Sequence, residues 1–187
     1  MIKDLKNLAV IFSGVLIMFC SCTEKNGAYY YEQAEKLTNA EKYTKALDYS
    51  KKAEQLFSEN EYQWKEIVVL QGEIFLWQGK EQEALTEFKR AFNKFPEDED
   101  VLLNIVVTCV RCNHPELAKD FCEKGILSKK YSDITNGLFY YYLAELAFGV
   151  NNEECRELLL QSEICFLKAG YTNFDDRIEG LINRMSK

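Results

Sequence analysis

Apolar and small residues recur at helical intervals along most of the chain, and strict alternation of apolar and polar residues never persists. Proline, which interrupts helices, occurs only at Pro96 and Pro115. These patterns predict an all-α protein whose helices pair across short turns. The predicted hairpins pair Ala28–Thr38 with Tyr43–Phe57, Tyr62–Gln78 with Lys80–Phe95, Glu99–Cys112 with Pro115–Leu127, and Asp133–Phe148 with Glu153–Ala169. A closing helix is predicted from Asn173 or Asp175 to about Met185.

The hairpins carry a repeated set of small residues. Ala84 and Ala118 are separated by the period of about 34 residues that is typical of stacked helix-turn-helix units. The interval from Ala46 to Ala84 is slightly longer, which places a longer link between the first two hairpins. Small side chains are needed where two helices cross closely, and large ones fill the space beside them. In the fourth hairpin the pattern weakens, because Cys155 or Arg156 falls where alanine is expected.

The second hairpin shows the fullest form of this pattern. Its residues are Gly72, Phe75, Gly79, Ala84, Phe88, Ala91 and Pro96. Part of the set returns one period later as Val106, Cys109, Asn113, Ala118, Cys122 and Gly125. The chain resembles the tetratricopeptide repeat (TPR) family, well over residues 28–127 and poorly over residues 134–169. The resemblance implies a TPR-like α-solenoid of three to four helical hairpins plus a C-terminal capping helix. The alternative is that three true repeats are followed by an unrelated helical hairpin.

The N-terminus has the pattern of an export signal. Lys3 and Lys6 precede an uncharged, mostly apolar run over residues 8–19. That run is shorter than the roughly 20 apolar residues that a membrane span needs. The junction of Ser21 and Cys22 resembles the cleavage site of a bacterial lipoprotein, in which the cysteine is lipidated. An ordinary signal peptide with an incidental cysteine, or an uncleaved anchor, is the alternative.

The lipoprotein resemblance divides the chain into a signal peptide (residues 1–21), a tether (residues 22–27) and a helical repeat domain (residues 28–187). It implies a protein attached by lipid to the bacterial cell envelope. Thr23 follows the cysteine, which in that family favours the outer membrane. Attachment to the periplasmic face and attachment to the outer surface of that membrane are both compatible with the sequence.

The net charge of the chain limits which kinds of partner it can bind. The formal net charge is −7, and it becomes −8 once residues 1–21, which carry a net +1, are removed. An acidic chain repels phosphate backbones, so no nucleic-acid partner is predicted. The carboxylates of Glu97–Asp100 lack the spacing of a calcium loop and fit a polar helix start instead. The only histidine, His114, falls in a predicted turn, so we predict no catalytic residues, no metal and no cofactor.

The cysteines offer an alternative function. Beyond the signal region they form an odd set of five without the short spacings of a disulfide scaffold. Cys109 and Cys112 form a CxxC pair, but they follow an apolar helical run, where the helix dipole disfavours a thiolate. Cys109, Cys112 and Cys122 could instead form a thiol- or zinc-responsive module. The competing interpretation treats Cys109 and Cys122 as small core residues.

The resemblance also suggests which residues bind a partner. In the TPR family the first helix of each hairpin lines the binding face. The residues placed there are Tyr31, Val69, Glu73, Trp77, Leu103 and Val107. Because most of these are apolar, they favour a protein partner, bound as an amphipathic helix or an extended segment. The alternative is that they pack under the next hairpin.

Two aromatic runs, Tyr29–Tyr31 and Phe139–Tyr142, complete the candidates. Successive helical residues point in different directions, so each run is expected to leave at least one tyrosine facing water or a partner. Exposed tyrosines would suit a carbohydrate-binding lipoprotein, which is a further alternative. The preferred prediction is a non-catalytic scaffold or adaptor for protein–protein interaction, anchored to the envelope through Cys22.

Overall fold

The computed structural model describes residues 26–171 and 176–185. The predicted signal peptide, Cys22 and most of the tether lie outside these residues, as do the predicted helix starts at Asn173 and Asp175. The described residues form nine α-helices. These are α1 (Gly27–Asn39), α2 (Tyr43–Glu54), α3 (Tyr62–Trp77), α4 (Glu81–Lys94), α5 (Glu99–Arg111), α6 (Pro115–Ser128), α7 (Asp133–Ala147), α8 (Asn152–Lys168) and α9 (Asp176–Met185). None of these helices is long and apolar enough to cross a membrane.

The helices pair as predicted, α1 with α2, α3 with α4, α5 with α6 and α7 with α8, and each hairpin packs on the next. The predicted all-α solenoid of hairpins is therefore confirmed. Small side chains make this stacking possible, because Ala46, Ala84 and Ala118 are all fully buried. Cys155 is also fully buried, so it takes the place of alanine in the fourth hairpin.

Each hairpin turns at one residue with left-handed backbone geometry. These residues are Glu41, Gly79, Asn113 and Gly149, with φ between 56° and 78°. The first three stand five residues before the buried alanine of their hairpin, but Gly149 stands six before Cys155. The weakened pattern of the fourth hairpin thus reflects one extra residue in its turn.

Glycines let aromatic rings come close to the backbone between helices. A Cβ atom added at Gly72 in α3 would lie 2.5 Å from Cε1 of Phe88 in α4. The same close approach joins Gly125 in α6 to Phe139 in α7. Both rings are fully buried. Glycine and phenylalanine therefore act as a fitted pair within a hairpin and also between hairpins.

The first helix begins one residue earlier than predicted. Gly27 belongs to α1 and packs against the ring of Phe57, so it is part of the folded domain rather than of a tether. Asn26 caps this helix, because its side chain accepts a hydrogen bond of 2.9 Å from the backbone N–H of Tyr29. Only residues 23–25 then separate Cys22 from the start of the fold.

Candidate protein-binding groove

A groove opens between α3 and α5, the first helices of the second and third hairpins. The backbones of these two helices make few close approaches to each other. The resulting space has a volume of about 290 Å³. Its lining residues are Lys65, Glu66, Val69, Glu73, Asp98, Asp100, Val101, Leu103 and Asn104. We call this space the α3–α5 groove.

A buried lysine holds the two sides of the groove together. The side chain of Lys65 in α3 is 4% exposed, and its Nζ atom lies 2.5 Å from Asp98 Oδ2 and 2.9 Å from Glu66 Oε1. Burial alone would lower the pKa of Lys65, but hydrogen bonds to Asp98 and Glu66 outweigh it and raise the pKa. Asp98 also caps α5 by accepting a hydrogen bond from Val101 N–H at 3.1 Å. One carboxylate therefore fixes the end of α5 and its distance from α3.

A second carboxylate, Glu73, lies half-buried in the groove. Among the described residues it forms no ion pair, in contrast to Glu66. Burial, followed by repulsion from Glu66, raises the pKa of Glu73. The phenol of Tyr31 in α1 lies in the same electrostatic field. Its pKa is raised by burial and then by Glu35, Glu66 and Glu73.

The groove is strongly acidic. Four carboxylates and one ammonium group line it, which gives a formal charge of −3 (1 − 4). Its apolar lining residues are Val69 from α3 and Val101 and Leu103 from α5. The sequence predicted a largely apolar face, and the structure differs because carboxylates from α3 and from the start of α5 converge on it. The combination suits a ligand that is both cationic and apolar.

The structure places the six predicted partner-binding residues in three settings. Val69, Glu73 and Leu103 line the α3–α5 groove. Tyr31 and Val107 are half-buried, pack against core clusters and do not line the groove, so they follow the alternative in which such residues pack against neighbouring helices. Val69 and Leu103 also pack against core clusters, although they line the groove. Trp77 is 69% exposed, one helical turn beyond Glu73 on α3. The structure thus brings three of the six together and leaves a large indole beside them.

A larger depression of about 420 Å³ lies between α6 and the fourth hairpin. Leu143, Leu146 and Leu158 contribute its apolar part. None of the predicted partner-binding residues lines it. It also lacks a buried charge pair like that of Lys65, so we regard the α3–α5 groove as the candidate site.

The cysteines do not form a reactive or metal-binding centre in the described part of the chain. Cys109 and Cys122 are fully buried, and burial raises the pKa of Cys109 to about 11. Burial also raises the pKa of Cys112, which is the C-cap of α5. Across residues 26–171 and 176–185, no group of three or more His, Cys, Asp or Glu side chains could hold a metal ion. The thiol or zinc alternative therefore gains no support.

The residues of the two aromatic runs are either buried or half-buried. Phe139, Tyr141 and Tyr142 are all less than 9% exposed, and they belong to the core of the C-terminal half. Tyr140 and the three tyrosines of α1 are half-buried. The run in α7 therefore offers no open aromatic platform, and the carbohydrate alternative gains no support from it.

Sequence reasoning missed Lys65, Glu66 and Asp98 as groove residues. The sequence places Asp98 correctly at a helix start, but it does not identify Lys65 as the partner of this carboxylate. The available signal was the spacing, since Lys65 and Asp98 are 33 residues apart, which is close to one repeat period. A lysine within the apolar run of α3 also requires a nearby opposite charge.

Comparison with solved structures agrees with this architecture. A crystal structure of the APC/C hetero-tetramer Cut9–Hcn1 superposes with a TM-score of 0.65 at 12% sequence identity, over 96% of this chain and 34% of that chain. The fold is a TPR-like α-solenoid. The Sgt2 TPR domain from Aspergillus fumigatus is also similar, with a TM-score of 0.48 at 13% identity over 80% of this chain and 89% of that chain. The sequence matches no protein-family model and no curated protein.

Proposed function

We propose that this protein is a non-catalytic scaffold for protein–protein interaction, attached to the bacterial cell envelope by lipid on Cys22. The observation that carries the proposal is the α3–α5 groove, which is open, acidic and bounded by Val69 and Leu103. TPR-like arrays present such surfaces between the first helices of their hairpins. The stacking itself is close-packed, as the fully buried Ala46 and Ala84 illustrate.

The partner is a protein segment that carries a lysine or arginine beside apolar side chains. Its cation would pair with Glu73, which has no counter-ion among the described residues. Its apolar side chains would contact Val69 and Leu103, and Trp77 would cover one end of the segment. Tryptophan is enriched among the residues that contribute most to the binding free energy of protein interfaces.

Attachment to the envelope is supported by the sequence of the N-terminal region. Basic residues, a short apolar run and a cysteine after a small residue occur in that order. The folded domain then begins at Asn26, which leaves a short connection to Cys22. The outer membrane is the proposed location, because Thr23 follows the cysteine.

Site-specific photocrosslinking in intact cells tests the groove. A photoreactive phenylalanine analogue at Trp77 is expected to give one discrete protein adduct, whereas the same analogue at Leu127, which is 77% exposed on α6, gives none. Glu73→Lys should abolish the adduct through charge reversal, and Glu83→Lys, a change at an exposed position on α4, should leave it unchanged. Equal adducts at positions 77 and 127, or adducts insensitive to Glu73→Lys, would contradict a groove-bound partner.

Intact-mass analysis tests the anchor separately. The mature protein should begin at Cys22 and carry acyl mass, and Cys22→Ser should release the protein from the membrane fraction. A chain that begins elsewhere and carries no acyl group would refute the anchor while leaving the groove hypothesis standing.

A further inference from the structure

One surface stripe on the first hairpin differs from the rest of this acidic protein. Lys45, Tyr49, Lys52 and Leu56 follow each other at spacings of four, three and four residues, so they share one face of α2 and its continuation. Leu56 is 55% exposed, and both lysines are exposed. Neither lysine forms an ion pair with any residue that the structure describes. We call this set the α2 stripe.

The aromatic part of the stripe is a small cluster. The rings of Tyr49 in α2 and Tyr30 in α1 lie 6.0 Å apart. Nζ of Lys52 lies 5.2 Å from the centre of the Tyr49 ring and 6.0 Å from that of Tyr30. Tyrosine, lysine and leucine on one face form the composition that the membrane–water interface favours, with rings at the headgroup level and ammonium groups near lipid phosphates.

The stripe lies close to the point where the chain enters the fold. Asn26 caps α1, and Gly27 packs against Phe57, the residue next to Leu56. Four Cα-to-Cα steps separate Cys22 from Asn26, so a fully extended connection spans about 14 Å at most. If Cys22 carries acyl chains, the first hairpin is held against the headgroups by this limit alone.

We propose that the α2 stripe, together with Tyr30, rests on the phospholipid surface to which Cys22 is anchored. This inference rests on the lipid anchor of the proposed function. Lysines near an anionic membrane surface are attracted to the lipid phosphates, so the two lysines of the stripe would favour contact with the bilayer. The contact also sets the orientation of the stack, because the first hairpin faces the bilayer and the later hairpins extend away from it.

Fluorescence quenching by brominated lipids tests the contact. The acylated full-length mature protein is reconstituted in vesicles of phosphatidylethanolamine and brominated phosphatidylglycerol. Leu56→Trp is compared with Leu127→Trp, an exposed leucine on α6, and the native Trp64 and Trp77 contribute equally to both. Leu56→Trp should lose much of its added emission, while Leu127→Trp should lose none. Adding Lys45→Glu and Lys52→Glu to Leu56→Trp should restore the emission without changing recovery with the vesicles.

The outcomes separate the two proposals. Equal quenching of the two variants, with acylation confirmed by intact mass, overturns the membrane contact and leaves the anchor intact. An unquenched Leu56→Trp in a protein that forms dimers overturns it in favour of a contact with a second copy. Absence of acyl mass on Cys22 removes the anchor and this inference together. Circular dichroism confirms that each variant keeps its helices.

Discussion

The fitted pair of Gly72 and Phe88 gives the most direct test of how the hairpins pack. A Cβ atom added at position 72 would lie 2.5 Å from Cε1 and 2.8 Å from Cζ of Phe88. Carbon atoms in good contact lie about 3.5–4.0 Å apart, so Gly72→Ala creates an overlap of about 1 Å. The ring is fully buried between helices. We therefore expect the alanine to push α3 and α4 apart.

Two opposing effects determine how much Gly72→Ala changes the free energy of unfolding. Overpacking a core by a methyl-sized group costs about 1–3 kcal/mol, and replacing a helical glycine by alanine contributes about 1 kcal/mol of stability. Gly72→Ala should therefore destabilise the protein by about 0–2 kcal/mol. Gly180 in α9 is the matched control, because no atom lies within 4 Å of its added Cβ. Gly180→Ala should stabilise the protein by up to about 1 kcal/mol.

Urea unfolding followed by circular dichroism measures both free energies of unfolding. The difference between the two variants, about 1–3 kcal/mol, isolates the steric term. Phe88→Leu in the Gly72→Ala background should recover part of the loss, with a coupling energy of about 0.5–3 kcal/mol between neighbouring sites. If Gly72→Ala stabilises the protein as much as Gly180→Ala does, the close packing of these helices is refuted.

Three further predictions concern the groove and the thiols. The pKa of the Glu73 carboxyl is raised in the folded protein, so its ionisation destabilises the fold once the pH rises above the usual glutamate pKa of about 4.3. Glu73→Gln should therefore raise the free energy of unfolding at pH 7 but not at pH 4. An equal gain at both pH values would contradict this explanation. Asp98→Asn should keep the α5 cap, whereas Asp98→Ala should cost about 0.5–2 kcal/mol more in urea unfolding, and equal losses would refute the capping role. Ellman's reagent should modify the half-buried Cys112 before Cys109 or Cys122, and simultaneous modification in folded protein would show that the latter two are accessible.

The spacing of small residues made the fold predictable from the sequence. Alanine at positions 46, 84 and 118 has one plausible use in helices of this length, which is to let neighbouring backbones approach, and all three are fully buried. The same periodicity extends to polar contacts that were not foreseen. Lys130 pairs with Glu97, and Ser132 N–H donates to Glu99, each across 33 residues. A repeat period therefore predicts partners as well as helices.

The groove could not be predicted to the same extent, because it depends on how far two helices diverge. The pattern of α3 places Val69, Glu73 and Trp77 along one side, but it does not fix the distance to α5. That distance depends on the buried contact between Lys65 and Asp98. Gly27 shows a similar limit, since the sequence alone does not indicate its contact with Phe57 in the connection after α2.

The contact between Lys65 and Asp98 also bears on how tightly a ligand can be held. It joins α3 to α5 in the free protein, so it limits how far the opening between them can change when a ligand binds. On binding, the protein therefore loses little conformational entropy, and most of the loss comes from ordering the bound segment. Stiffening that segment, for example by cyclisation, should consequently strengthen binding mainly through a smaller entropic penalty.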